Sequence, residues 1–197
     1  RAAELRISPI FDTHIGPDAC DEKALRAKVA EIAADPKRLT ILGGDMGDFI
    51  NKSDKRFDIG SLADWMISKE AFRDPAKAQA DRVVETLTPI ADRILCALSG
   101  NHEATIHKHY ERDIYGEYVN RLKELGGFTP ERKLALGYSG WLVLKFYRSN
   151  RNERSVTIPI RLHHGWGGGR SDGAKANNMK EFLLTNDCTL ALMGHVH

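Results

Sequence analysis

No apolar run in the chain approaches the roughly 20 residues that a bilayer-spanning helix needs. The longest, 94–98 and 190–193, are only strand-sized, which excludes a membrane span. Cysteine is scarce and odd in number: Cys20, Cys96 and Cys188 are scattered, and two lie in apolar strand-like runs where Cys behaves as a small hydrophobe. A disulfide framework is not expected. Nor does one sign of charge dominate, since 29 Lys and Arg face 27 Asp and Glu for a net +2. That balance excludes a nucleic-acid coat or an acidic tail, and any basic site must be local. There is no internal repeat, low-complexity tract or secretory signal. The missing signal favours the cytoplasm, although the sequence opens on Arg1 and so reads as trimmed. What is there, 197 residues with 42% hydrophobic and 28% charged content, fits one domain with a sizeable core and is cramped for two.

Hydrophobic spacing divides the chain into alternating elements. Residues 5–11 read as a strand running into Asp12, and 21–34 place Leu25, Val29, Ile32 and Ala33 at helical spacing. The pattern repeats with strand 39–42, helix 76–90 after Pro75, strand 94–98 and helix 114–125 closed by two glycines. From Tyr138 the texture changes: β-rich runs 141–147 and 155–162 flank a polar turn and read as an antiparallel hairpin. A last helix (174–185) and strand (189–193) return to the first pattern. The expectation is a layered α/β fold with a second sheet. Residues 49–75 exceed ordinary connections and read either as a lid or as a small surface helix (62–69) with its own contacts.

Five short strings stand at or just past predicted strand ends: Asp12-Thr-His14, Gly44-Asp45-Met-Gly-Asp48, Gly100-Asn101-His102-Glu103, His163-His164-Gly165 and Gly194-His195-Val-His197. In open α/β sheets the crevice beyond the carboxyl ends of the strands is where ligands bind, so the strings should converge. Carboxylate, amide and imidazole donors without cysteine suit manganese, iron or zinc in an open site and disfavour a closed structural zinc. Alternation in Asp-x-His and His-x-His lets two donors grip from one strand end. The glycines allow sharp turns and close approach beside them.

Singly each string is weak; in this order the series resembles the calcineurin-like metallophosphoesterase family, from Asp12 to His197. The resemblance implies a two-sheet β-sandwich flanked by helices, with a dinuclear centre of divalent transition metals, manganese first and iron or zinc as alternatives. Carried over by position, Asp12, His14 and His197 hold one metal, Asn101, His164 and His195 the other, and Asp45 bridges. The family's ligand is usually the His directly before Gly, which selects His164 over His163. Two cations about 3.5–4 Å apart can clamp a phosphate and acidify a water for in-line attack. His102 then resembles the family's leaving-group acid or phosphoryl-oxygen stabiliser, with Asp48 orienting it or serving only as a loop cap. Glu103 supports the loop. The resemblance also implies further strands after His197 that complete the second sheet, making residues 1–197 a single domain without its last strands.

The family's protein serine/threonine phosphatases place phosphate-binding arginines where this chain has Phe49-Ile50 and Leu98-Ser99, which argues against that branch. Rim candidates are Lys52, Lys55, Arg56 and Arg73 in the long segment, His107, Lys108, His109 and Arg112 after the third string, and Trp166 and Arg170 after the fourth. Of these His109, Trp166 and Arg170 are the candidate substrate contacts. Basic groups interleaved with Trp65, Tyr110 and Trp166 suit an anionic polymer whose bases stack. The sequence therefore leans to a phosphodiesterase or nuclease acting on nucleic acid or nucleotides. The alternatives are a phosphomonoesterase of small molecules and a non-catalytic binding module.

Overall fold

A computed structural model of the chain describes residues 4–52, 54–149, 152–167 and 171–195. Three strands, β1 (Arg6–Ile10), β2 (Arg38–Leu42) and β3 (Ile94–Ala97), form a parallel sheet in the order β1-β2-β3. Their register sets Ile10 beside Leu42 and Leu42 beside Ala97, so all three carboxyl ends stop at one level. The second sheet pairs β4 (Ser139–Ser149) antiparallel with β5 (Asn152–His163), and β5 parallel with β6 (Leu190–Met193). Its register aligns His163 with Met193, so His164 and Gly194 leave their strands together.

The helices begin where side chains can satisfy free backbone N–H groups. α1 (Glu22–Ala34) is capped by Asp21, α3 (Pro75–Leu87) by Asp74 with Pro75 in its first turn, α5 (Ile114–Leu125) by Asp113 and α6 (Asp172–Leu184) by Ser171. α3 stops at Leu87, short of the spacing-based bound at 90, and continues as 3₁₀ turns over Thr88–Arg93, because Pro89 has no N–H to donate. Between α3 and α5, α4 (Asn101–Tyr110) occupies a stretch whose apolar spacing predicts no helix.

Ile10, Leu42 and Ala97 face one side of the first sheet, joined by Ile94 across a register shift between β2 and β3, against Val29 and Ile32 of α1, Val83 and Leu87 of α3 and Leu122 of α5. Ile41, Cys96 and Leu98 face the other way and meet Ile160 and Leu162 of the second sheet. The layers are thus helices, sheet, sheet. Burying a side chain such as Leu162 contributes about 1.5–3 kcal/mol. On β4 the outward series Trp141, Val143 and Tyr147 is exposed while Leu142 and Leu144 point inward.

Residues 49–75 hold two 3₁₀ turns (Ile59–Ser61, Asp64–Ile67) and the short α2 (Lys69–Arg73). Their latter half is docked: Met66 is fully buried, Trp65 donates from Nε1 to Glu22 at 2.8 Å, and Leu62 bridges to Pro17. The earlier half, 49–57, runs beside α4 and walls two cavities described below.

Candidate metal centre

Level strand ends bring the loops after β1, β2 and β3 together, and backbone hydrogen bonds lock the first two side by side. Asp12 N donates to Gly44 O at 3.1 Å, His14 N to Asp45 O at 3.0 Å and Ile15 N to Met46 O at 3.0 Å. The loops pay in conformation: Asp12, His14, Asp45 and His195 all have φ between 45° and 68°, where a side chain costs about 1–3 kcal/mol. Glycine is required at two approaches. A Cβ on Gly100 would run into Asp45 Oδ1, and Gly44, at φ +89°, leaves room for the Gly100 backbone and the His164 ring.

Asp45, 1% exposed, is the hub. Its Oδ1 accepts from His102 N at 2.9 Å; its Oδ2 lies 3.1 Å from His164 Nε2 and 3.9 Å from His14 Nε2. Two groups with the spacing of metal donors share it, His14–Asp45–His102 and Asp45–His164–His195. Asp12 lies beside these groups: Oδ2 accepts from His195 N at 2.9 Å and Oδ1 lies 3.9 Å from His164 Nε2. Asn101 Oδ1 is 3.1 Å from the same nitrogen. Burial pushes the Asp45 carboxyl up, but the hydrogen bond and charge of His164, then the His102 N–H, hold it at about 2. Burial likewise pulls His164 and His14 down, and their carboxylate neighbours, Asp45 for His164 and Asp48 then Asp45 for His14, raise both above the ordinary histidine value.

This donor set fits a cation. His164 Nδ1 faces the Gly43 carbonyl at 2.8 Å, which can only accept, so Nδ1 carries a proton and Nε2 is the nitrogen left to meet a cation. That nitrogen looks onto oxygens of Asn101, Asp45 and Asp12, a convergence of lone pairs that needs positive charge at its centre. Among the described residues Asp12 Oδ1 is buried with no hydrogen-bond partner, the condition a ligand oxygen is left in without its cation. His163 is arranged differently: its Nδ1 accepts from Gly165 N at 2.8 Å, and its ring packs on Tyr138, Trp166 and Phe182.

His102 stands at the second position of α4, not in the extended or turning loop that its neighbours suggest, and the helix carries its ring away from Asn101. Its Nδ1 contacts the Asp48 backbone carbonyl, and the Asp48 carboxylate Oδ1 lies 3.6 Å from Nδ1 of both His102 and His14. The His14 and His102 rings meet edge-on at 4.7 Å. The Asp48 carboxylate thus lies between two imidazoles.

Behind the donors lies a support centred on Glu103, the last residue of the third string. Glu103, 1% exposed, accepts at Oε2 from Asp45 N (3.0 Å) and Gly100 N (2.9 Å), and at Oε1 from Met46 N (3.0 Å) and the Tyr118 hydroxyl (3.0 Å). Burial first, then the Asp45 charge, push its carboxyl up to about 7 against the Met46 and Gly100 N–H groups. Buried Gln79 of α3 accepts from Phe49 N at 2.7 Å and so fixes the loop after Asp48. A single sequence carries no signal for Tyr118 or Gln79, because both sit within ordinary helical patterns.

Of the candidate substrate contacts, His109 is exposed on α4, and Trp166 is half-buried against His163 and Phe182. His197 and Arg170 lie outside the described residues. No helix among the described residues is long and apolar enough to cross a membrane. A family model described as calcineurin-like phosphoesterase matches residues 12–197. No curated protein and no solved structure gives a significant match.

Proposed function

The chain belongs to the calcineurin-like phosphoesterases, a family of metal-dependent hydrolases, and from that premise we propose a dinuclear phosphodiesterase acting on nucleic acid or nucleotides. The observation that carries the dinuclear reading is Asp45, whose Oδ2 lies near both His14 Nε2 and His164 Nε2. One cation would be held by Asp12, His14, Asp45 and His197 and the other by Asp45, Asn101, His164 and His195; manganese suits this oxygen and imidazole set, with iron or zinc as alternatives. When bound, the pair supplies charge neutralisation at phosphorus and a water acidic enough to attack near neutral pH.

The chain's own residues do the rest. The Asp48 carbonyl contacts His102 Nδ1 and accepts that nitrogen's proton in a hydrogen bond, so Nε2 donates to the leaving oxygen from the imidazolium form, the ring keeping its Nδ1 proton and ending neutral. Asp48 keeps His14 and His102 in place, and Glu103 anchors the loop that carries Asp45. The diester preference draws on the cationic, partly aromatic rim beyond His102, which has room for a leaving group larger than a small alcohol. The manganese-loaded chain should hydrolyse bis(p-nitrophenyl) phosphate faster than p-nitrophenyl phosphate, and Asp45→Ala should lose that activity along with both metals. A preference for the monoester would favour a phosphomonoesterase of small molecules. Full metal loading with no turnover of either would favour a binding module.

A further inference from the structure

Two cavities adjoin on the His102 side of the centre. One, of about 550 Å³, is lined by Phe49, Asp54, Lys55, Thr105 and His109; the other, of about 350 Å³, by Lys52, Arg73, Asp74, Pro75 and Arg112. Asn51, Ile106 and Tyr110 border both. The first lies next to the centre along the chain, since its lining residue Phe49 follows Asp48 and Thr105 lies one turn beyond His102. Residues three, four and seven apart share a helix face, so His102, Thr105, Ile106 and His109 form one line along α4, about 10 Å long. A group leaving toward His102 would continue along that line.

The charges in the groove are unevenly used. Asp54 receives Arg56 on both oxygens at 2.8 and 3.1 Å, and Asp74 receives Arg112 on both at 2.9 and 3.0 Å. Arg56 holds the Asp54 carboxyl down at about 2, so no loose acid lines the groove. Lys52, whose Nζ sits 4.1 Å over the Phe72 ring, forms no ion pair among the described residues, and neither do Lys55 and Arg73. Three cations without carboxylates stand beside the flat, half-exposed Tyr110 and the apolar floor of Ile106, Pro75 and Ala76.

We propose that this groove holds the leaving-group side of a polynucleotide substrate, with a base against Tyr110 and Ile106 and the next phosphate on Lys52, Lys55 and Arg73. This rests on the phosphodiesterase reading and adds which side of the substrate is gripped and by what. Fluorescence anisotropy of a fluorescein-labelled hexathymidylate on the chelator-treated chain tests it without turnover. Lys52→Gln with Arg73→Gln should weaken binding about tenfold or more at low salt and lower the salt slope by roughly 0.7, one phosphate contact on a single strand. Tyr110→Ala should weaken binding about tenfold with the slope kept. The charge-conserving Lys52→Arg with Arg73→Lys should bind like the parent. Absence of binding by the parent chain, or a double Gln variant with parental affinity and slope, would overturn the groove. Turnover of bis(p-nitrophenyl) phosphate is scored separately. In the parent chain, no turnover with binding present overturns the phosphodiesterase reading and no binding with turnover present overturns the groove alone; in the double Gln variant, weakened binding with turnover kept is the expected result.

Discussion

At the scale of single residues the centre is built from conformations the chain would otherwise avoid. Asp12, His14, Asp45 and His195 sit in the left-handed region, held there by the cross-loop hydrogen bonds and by Asp12 itself. That these residues gather was legible from donor types placed after strand ends. Which nitrogen of which histidine faces inward was not, because it depends on the Gly43 and Asp48 carbonyls, which any sequence would supply. His102→Ala should leave metal content intact and lower turnover by on the order of 10² to 10⁴. The loss should be smaller for nitrophenolate than for an alkoxide leaving group. Stripped metals, or an equal loss for both leaving groups, would move His102 to metal binding or to phosphoryl-oxygen stabilisation.

A pH dependence follows at the same scale. His14 and His164 are raised above their ordinary 6.5, so the metal-free fold favours both imidazolium forms. Their stabilising contribution is full below the unfolded value and is lost as pH rises through the folded one. A cation must displace those protons. The metal-free chain should therefore release protons on taking up manganese at pH 7, with affinity rising as pH rises above 6.5. Calorimetry in two buffers of different ionisation enthalpy reads the release, and equal heats in both would contradict it.

At the scale of elements, α4 departs furthest from what its sequence suggests. Its apolar members, Ile106 and Tyr110, make no helical stripe, and its start has no side-chain cap, only Glu103 reaching back to Gly100 N. The β4–β5 hairpin was legible, since strict alternation of Leu142 and Leu144 with Trp141 and Val143 admits one face inward. α4 acquires its stability from tertiary contacts instead, above all Glu103 with Tyr118 of α5. Glu103→Ala should cost about 3 kcal/mol or more, because three buried N–H groups lose their acceptor; Tyr118→Phe should cost about 0.5–1.5 kcal/mol. Urea unfolding measures both. A Glu103→Ala variant as stable as the parent would remove Glu103 from the support of Asp45.

At the scale of the whole molecule, two three-stranded sheets pack face to face so that five chain segments end at one place. The first sheet delivers Asp12, His14, Asp45 and Asn101, and the second delivers His164 and His195. Alternation of elements made the layering readable, and the order of the strings made the convergence readable. The 49–57 wall of the groove was not, since its course depends on the buried Gln79 and on docking of Met66. The central claim is that this convergence holds two cations for one reaction. The most direct test adds manganese stepwise to the chelator-treated chain while following hydrolysis of bis(p-nitrophenyl) phosphate. Activity should climb to a plateau at two equivalents per chain; a plateau at one equivalent, or no hydrolysis at any loading, would contradict it.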